Sequence, residues 1–344
     1  MNLTERQEKI LEIIVRRYTV GAVPIGSKTL VKSYNLGVSS ATVRNEMSIL
    51  EKNGYLTQPH TSAGRLPTEK GYRYFVKTLM EEHELSANEQ LMIRHQFHQA
   101  RLEVDQWMKL SATVLAHTTQ AASLITPPKF SQCRLKHLEL ISIHDTIMLI
   151  ILVLKEGTVK QQILNLDTAY TQDKLRIISH QLTDLWKECD VQTINNTIPT
   201  LMGLSAKVAE MVIDTMERIN ARKSSDMYYD GLLHILEETG LTEGESLQQI
   251  VRVFEERCVL DQLVSRVLQQ GGMQIIIGGE GEWHNLSHIS IILSRYGIDN
   301  QAWGALGVMG PMRMPYGRAV SIVRFMSGLM SGLLLDLYGE EVQS

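Results

Sequence analysis

Ser39-Ser40-Ala41-Thr42-Val43-Arg44-Asn45-Glu46-Met47-Ser48-Ile49-Leu50-Glu51-Lys52-Asn53-Gly54 is the stretch whose reading decides the N-terminal fold. Ser39 caps a helix, because its hydroxyl can accept from a free N–H of the first turn. Val43, Met47 and Leu50 stand at i, i+4 and i+7 and predict one buried face. Ala41, Asn45, Ser48 and Lys52 fall on the opposite side, with Ser40 and Arg44 on a flank. Gly54 stops the helix as a C-terminal glycine does. The outward face is small, polar and poor in acids near its start. A helix that enters a major groove about 12 Å wide needs those properties.

Working outward, residues 4–18 read as an amphipathic helix on Ile10, Ile13 and Ile14, and Gly21-Ala22-Val23-Pro24 breaks it. Ser27–Tyr34 is a short second helix carrying Leu30 and Val31, and Asn35–Val38 is a turn. On the far side, Tyr55–Gln58 is a short strand, Pro59–Arg65 a turn-rich loop, and Leu66-Pro67 brings the chain back. Thr68-Glu69 starts a fourth helix with Tyr72, Phe75, Val76 and Leu79 on one face. Three short helices, a hairpin and a further helix form the outline of a winged helix-turn-helix.

The chemistry of these residues suits a nucleic acid. Asn45 can pair bidentately with adenine and Arg44 with guanine at base edges. Ser39, Ser40 and the free N–H groups at the helix start can hold phosphate, aided by the helix dipole. The candidate DNA-contacting residues are Lys28, Ser39, Ser40, Thr42, Arg44, Asn45 and Ser48, with His60, Thr61, Ser62 and Arg65 from the loop. Charge points the same way. Residues 1–80 hold 12 Lys and Arg against 6 Asp and Glu, a balance of +6. The other 264 residues carry −10, within a total of −4. A basic module on an acidic body fits a polyanionic partner for the first part alone.

Composition bounds the rest. The 344 residues are 44% hydrophobic and 21% charged, ordinary for a globular chain. No apolar run approaches the roughly 20 residues that span a bilayer. Ile147–Leu154 is strand-sized, and Arg324 and Asp336 flank the apolar stretch Phe325–Leu335. The N-terminus is polar and lacks a secretory h-region, so no membrane partner and a cytoplasmic protein are expected. Cys133, Cys189 and Cys258 are too widely spaced for a zinc pair or a disulfide framework. His284 and His288 lie near Glu280 and Glu282, but no third ligand is fixed by spacing, so no metal is expected. No phosphate-loop, nucleophile-elbow or HExxH sequence occurs, and no catalytic residue or cofactor is expected.

The remainder reads as α+β. Residues 81–88 form a polar junction, followed by a helical pattern over Glu89–Ala121 that Thr126-Pro127-Pro128 ends. Strands are predicted at His137–Ile143, at Thr146–Leu154 as a buried strand, and at Lys160–Leu166. Helices follow at about 171–188, 203–219, 227–238 and 246–269. Strands return at Gln274–Ile277, Ile289–Ser294 and Ala305–Val308, and Arg318–Tyr338 is a closing helix. Strands, helices, then strands again suggest a sheet domain with a helical insertion. The domains expected are 1–80, a linker region at 81–125, and 126–344 interrupted by an inserted module at about 170–265.

Several runs resemble the HrcA family of heat-inducible transcription repressors. They are Ser39–Met47, Leu50-Glu51, Gly54-Tyr55-Leu56, Pro59–Tyr74, Gly26–Leu30 and Gly310-Pro311-Met312-Arg313-Met314-Pro315-Tyr316. Ile277–Gly281 is similar to the family's Gly-x-Glu-Asn turn, with Gly281 where Asn is usual. The resemblance implies a winged helix-turn-helix, then a GAF-like α+β domain carrying an inserted helical dimerising domain. It implies a homodimer that binds double-stranded DNA at an inverted repeat in chaperonin and DnaK operon promoters. It also implies a partner, the chaperonin GroEL, and repression linked to heat stress. The rival reading is a GAF-type regulator that senses a small ligand. An apolar pocket with convergent polar groups would favour that rival.

Overall fold

The computed structural model describes residues 3–60, 63–81, 84–100, 104–130, 133–155, 157–221, 227–233, 257–279, 286, 289–299 and 301–338. The chain divides into two compact units. The first comprises Met1–Pro128, Asp226–Gly297 and Gly304–Leu333; the second comprises Lys129–Ser225, Ile298–Trp303 and Leu334–Ser344.

The first unit opens with α1 (Glu5–Gly21), α2 (Ser27–Ser33) and α3 (Ser40–Lys52). Thr4 and Gln7 close a capping box at the start of α1, and Ala22 ends it in the left-handed region at φ 51°. Ile10, Leu11, Ile14, Leu30, Val43, Met47 and Leu50 are fully buried, so the periodic apolar positions are the core of this module. The hairpin β1 (Leu56–Thr57) and β2 (Leu66–Pro67) pairs Leu56 with Pro67 and Thr57 with Leu66. Then comes α4 (Glu69–Tyr74), capped by Thr68 and continued by a π-helical turn at Phe75–Leu79. The element order is the one expected of residues 1–80.

The single helix expected over Glu89–Ala121 is two: α5 (Ala87–Gln99) and α6 (Val104–Thr119). Gln120 takes a left-handed φ of 53°, and the next residues form β3 (Ala122–Ile125), which the sequence reading did not predict. All four residues of β3 are buried. A strand covered on both faces has no alternation to read. Its neighbours complete an antiparallel sheet in the order β8 (Tyr228–Asp230), β3, β11 (Ala302–Pro311), β10 (Ile289–Ile298), β9 (Met273–Ile277). Tyr228–Asp230 was expected to begin a helix; pairing with Ser123–Ile125 makes it an edge strand instead.

Helices cover both faces of this sheet. On one face, Leu260, Leu263, Val264 and Val267 of α10 (Arg257–Gln270) pack with Leu124, Ile289, Ile291, Leu293 and Met309. On the other, the Ser123 hydroxyl donates to the Ala112 carbonyl of α6 at 2.7 Å. There too, Ser290 meets the Tyr316 hydroxyl of α11 (Tyr316–Tyr338) at 2.6 Å. By length and composition α11 could cross a membrane, alone among the described helices. Its buried Val320, Ile322, Val323, Met326 and Met330 make it a core helix of this unit.

The second unit has a three-stranded meander, β5 (Leu135–His144), β6 (Ile147–Leu154) and β7 (Val159–Asn165). Helices α7 (Gln172–Trp186), α8 (Val191–Thr197) and α9 (Leu204–Ala221) pack on one face, burying Leu140, Ile150, Leu152, Trp186, Val208 and Met216 together. In the same unit β4 (Lys129–Phe130) pairs with Ala302 and Trp303. The meander and α7–α9 share one core, and the described α10 belongs to the first unit. One expectation is corrected here. β6 is not buried throughout: only Met148, Ile150, Leu152 and Leu154 are. Ile147 and its row face outward beside Val159 and Ile163, which are 52% and 63% exposed. An unbroken apolar run cannot reveal that one row lacks a cover.

Candidate nucleic-acid interface

The interface is built on α3. The Ser39 side chain accepts from the Thr42 N–H at 3.2 Å, as its cap position dictates. The two hydroxyls also meet at 3.0 Å, so Thr42 completes the cap. With Val43, Met47 and Leu50 turned inward, Ala41, Arg44, Asn45 and Lys52 are exposed along one side. Ser39 is exposed and Ser40 is half-buried. Lys28 is exposed on α2, which packs against α3. These residues lie on the packed helices α2 and α3 and at the start of α3.

The loop is placed differently. His60 is exposed at the hairpin tip, where the Gln58 amide donates to the Ala63 carbonyl at 2.8 Å. Thr61 and Ser62 lie outside the described residues. Arg65 does not project as an open cation. Its guanidinium pairs with Glu51 at 2.8 Å, donates to the Ser48 hydroxyl at 2.9 Å, and its side chain is 13% exposed. Ser48 in turn donates to the Arg44 carbonyl at 3.0 Å, so it too is engaged within the module. Arg65 is therefore a strut between hairpin and helix.

The hairpin has a second anchor that sequence reasoning missed. Ile25 and Arg65 exchange two backbone hydrogen bonds, each 2.9 Å, and so tie the segment before α2 to the hairpin. Gly64 permits this approach. A Cβ there would lie 2.4 Å from the Ile25 carbonyl carbon and 2.6 Å from that of Pro24. The glycine was the only local signal, and it does not say which backbone it lets in. Also unforeseen is the bond from Gln7 on α1 to Glu46 on α3 at 3.0 Å, with Arg6 3.7 Å from the same carboxylate. These contacts occupy Glu46, as Arg65 occupies Glu51, the two acids of α3.

The module is also fastened to the sheet of its unit. Arg73 donates to the Ile277 carbonyl at 2.9 Å and pairs with Glu69 at 3.0 Å. The Tyr74 hydroxyl donates to Glu8 at 2.5 Å, and that bond, with burial, pushes its pKa up to about 12. His284 and His288 lie outside the described residues, as does the side chain of Cys258.

Comparison with known proteins adds two kinds of likeness. Residues 105–320 match the family model described as HrcA protein C terminal domain. The chain is 43% identical to the heat-inducible transcription repressor HrcA of Roseiflexus castenholzii, over 99% of this chain and 97% of that one. It is 36% identical to the protein of the same name from Dehalococcoides mccartyi, covering 98% of both. A solved structure titled as a hypothetical protein at 2.2 Å resolution shares the fold. Its TM-score is 0.61 at 23% identity, over 97% of this chain and 98% of that one.

Proposed function

The chain belongs to the HrcA family of heat-inducible transcription repressors, and from that premise we propose that its first 80 residues are a winged helix-turn-helix bound to an operator. One observation carries the assignment of the surface: Arg44 and Asn45 stand exposed on α3 while that helix's apolar row is sealed inside. Arg44 and Asn45 reach base edges, and Ser39, Ser40 and Lys28 hold phosphates. Thr42 shapes the cap, Ser48 and Arg65 fix the angle between hairpin and helix, and His60, Thr61 and Ser62 are offered to the backbone or minor groove at the tip.

The operator is an inverted repeat of chaperonin and DnaK operon promoters, read by a homodimer in the cytoplasm. The outward apolar row of the meander supports self-association, since Ile147, Val159 and Ile163 need a cover. The remaining domain is GAF-like, and GroEL restores the active dimer after heat. No catalysis is part of this reading.

The test is fluorescence anisotropy of the full chain on an inverted-repeat duplex and on one with a single half-site. The expected result is preference for the full repeat by about 10³-fold or more over unrelated DNA, with affinity falling steeply as salt rises. Equal affinity for repeat and scrambled duplex would remove the reading.

A further inference from the structure

Residues 1–80, the head, meet the body of the first unit along a narrow joint that is less tightly closed than either side. Two clefts of about 370 Å³ each flank it. In one, Leu66, Pro67 and Tyr72 of the head face Met312 and Arg313 from the loop after β11. In the other, Val20 and Phe75 of the head face Met314, Pro315 and Gly317. Well-packed interiors leave few voids larger than a water molecule. Each side has a sealed core by contrast: Ile10, Ile14 and Leu50 in the head, and Ile292, Leu306 and Val308 in the sheet, have no exposed surface.

Between the clefts the contact is largely polar. Arg73 donates to the Ile277 carbonyl at 2.9 Å. Glu69, paired with Arg73, lies against the backbone of Gly278, where a Cβ would stand 2.5 Å from its carboxyl carbon. The Tyr72 ring meets that of Tyr316 at 5.9 Å. The Tyr72 hydroxyl is sealed even from the clefts and has no partner in hydrogen-bond geometry. Its polar neighbours are Tyr18 and Thr19 on the head side, where Thr19 completes no bond, and Tyr316 and Arg313 on the other. Tyr296 and Tyr316, fully buried in the same unit, both donate to carbonyls. A buried hydroxyl left unpaired costs free energy that water returns when the site opens. The chain then leaves the head through the π-helical turn at Phe75–Leu79, a rare geometry that concentrates at functional sites.

We propose that this joint is a thermal hinge, opening as one step below the temperature at which head or body unfolds. Opening hydrates the Tyr72 hydroxyl and gives up the Arg73–Ile277 bond and the tyrosine ring contact, while both sealed cores stay intact. Local opening falls where buried apolar contact is sparse. On the DNA-binding reading, an open joint frees the angle of the head. Two heads of a dimer then lose the fixed spacing that an inverted repeat demands, before either head loses its fold. That consequence rests on the DNA-binding reading; the opening itself does not.

Hydrogen exchange followed by mass spectrometry on the full chain without DNA, at rising temperature, tests the hinge. Segments 69–80 and 311–317 are expected to lose protection together, several degrees below 10–15, 43–50 and 289–298. Tyr72→Phe deletes the unpaired hydroxyl and keeps the ring, so exchange at 311–317 should slow by about fivefold or more. Arg73→Ala should speed it by about fivefold or more. Unchanged protection of 43–50 and 289–298 shows that each variant is folded. Three results would overturn the hinge: protection lost at the joint only together with the cores, loss in one joint segment without the other, or unchanged or faster exchange in Tyr72→Phe. Anisotropy on the full repeat and on a single half-site tests the consequence. Above the opening temperature, preference for the full repeat should vanish while half-site affinity persists, and Tyr72→Phe should keep the preference to a higher temperature. A preference that survives opening upholds the hinge and overturns the coupling. Absence of binding to either duplex at any temperature overturns the DNA-binding reading and leaves the hinge to the exchange data.

Discussion

Arg44 and Arg65 are two arginines with different work. Arg44 is exposed on α3, whereas Arg65 is nearly enclosed and bonded to Ser48 and Glu51. Replacing Arg44 by Ala is expected to cost about 1–3 kcal/mol of operator affinity if it reads a base. The melting temperature should stay within error, because a solvated side chain holds nothing in the fold. Arg65→Ala should lower both, since it frees a half-buried carboxylate and the angle of the hairpin with it. Arg65→Lys should recover charge but not the two-partner geometry, and so restore little. Anisotropy and a thermal melt on the three variants separate the roles. Equal losses of stability for Arg44→Ala and Arg65→Ala would contradict the division.

The hairpin is a short element that would not hold its shape alone. β1 and β2 share two residue pairs, too few for independent stability. Its position comes from the Ile25–Arg65 bridge, the Arg65 strut and the Thr68 hydroxyl, which donates to the Gly54 carbonyl at 2.6 Å. Gly64→Ala tests this element directly. The added Cβ would collide with the backbone of Pro24 and Ile25, and backbone cannot swing aside as a side chain can. We expect a loss of about 2 kcal/mol or more in denaturant unfolding and a larger loss of operator affinity than Arg44→Ala gives. Unchanged stability would mean that the bridge is dispensable.

At the scale of the molecule, charge and cover set behaviour. On the proposed reading the basic first 80 residues engage phosphate, while the acidic remainder limits non-specific adhesion. The outward apolar row on the meander predicts self-association, so Ile163→Lys should shift sedimentation toward monomer and abolish preference for the full repeat. Its melting temperature should change little, because Ile163 is already 63% exposed. On the proposed reading, heat control works through marginal stability. A shift of about 1–2 kcal/mol changes the folded fraction roughly 5- to 30-fold. Operator affinity should therefore collapse over a few degrees and return on addition of chaperonin and ATP. Loss that chaperonin cannot reverse would detach this chain from that mode of control.

The sequence by itself determined the N-terminal module. Its helices are amphipathic and half-solvated, so Val43, Met47 and Leu50 announce a buried side and Arg44 and Asn45 an open one. It also determined the meander, whose turns fall at His144-Asp145 and Gly157. It did not reveal β3, because residues buried by sheet and helix together carry no period, nor the strand at Tyr228, a largely exposed edge of three residues that only its pairing with Ser123–Ile125 makes a strand. Nor did it reveal that Arg65 would be claimed by Glu51 and Ser48, or that Tyr72 and Arg313 would line one space. Periodicity reports how one segment divides between core and water. Which distant segment supplies the core, and which partner claims a charge, is settled only when the chain closes on itself.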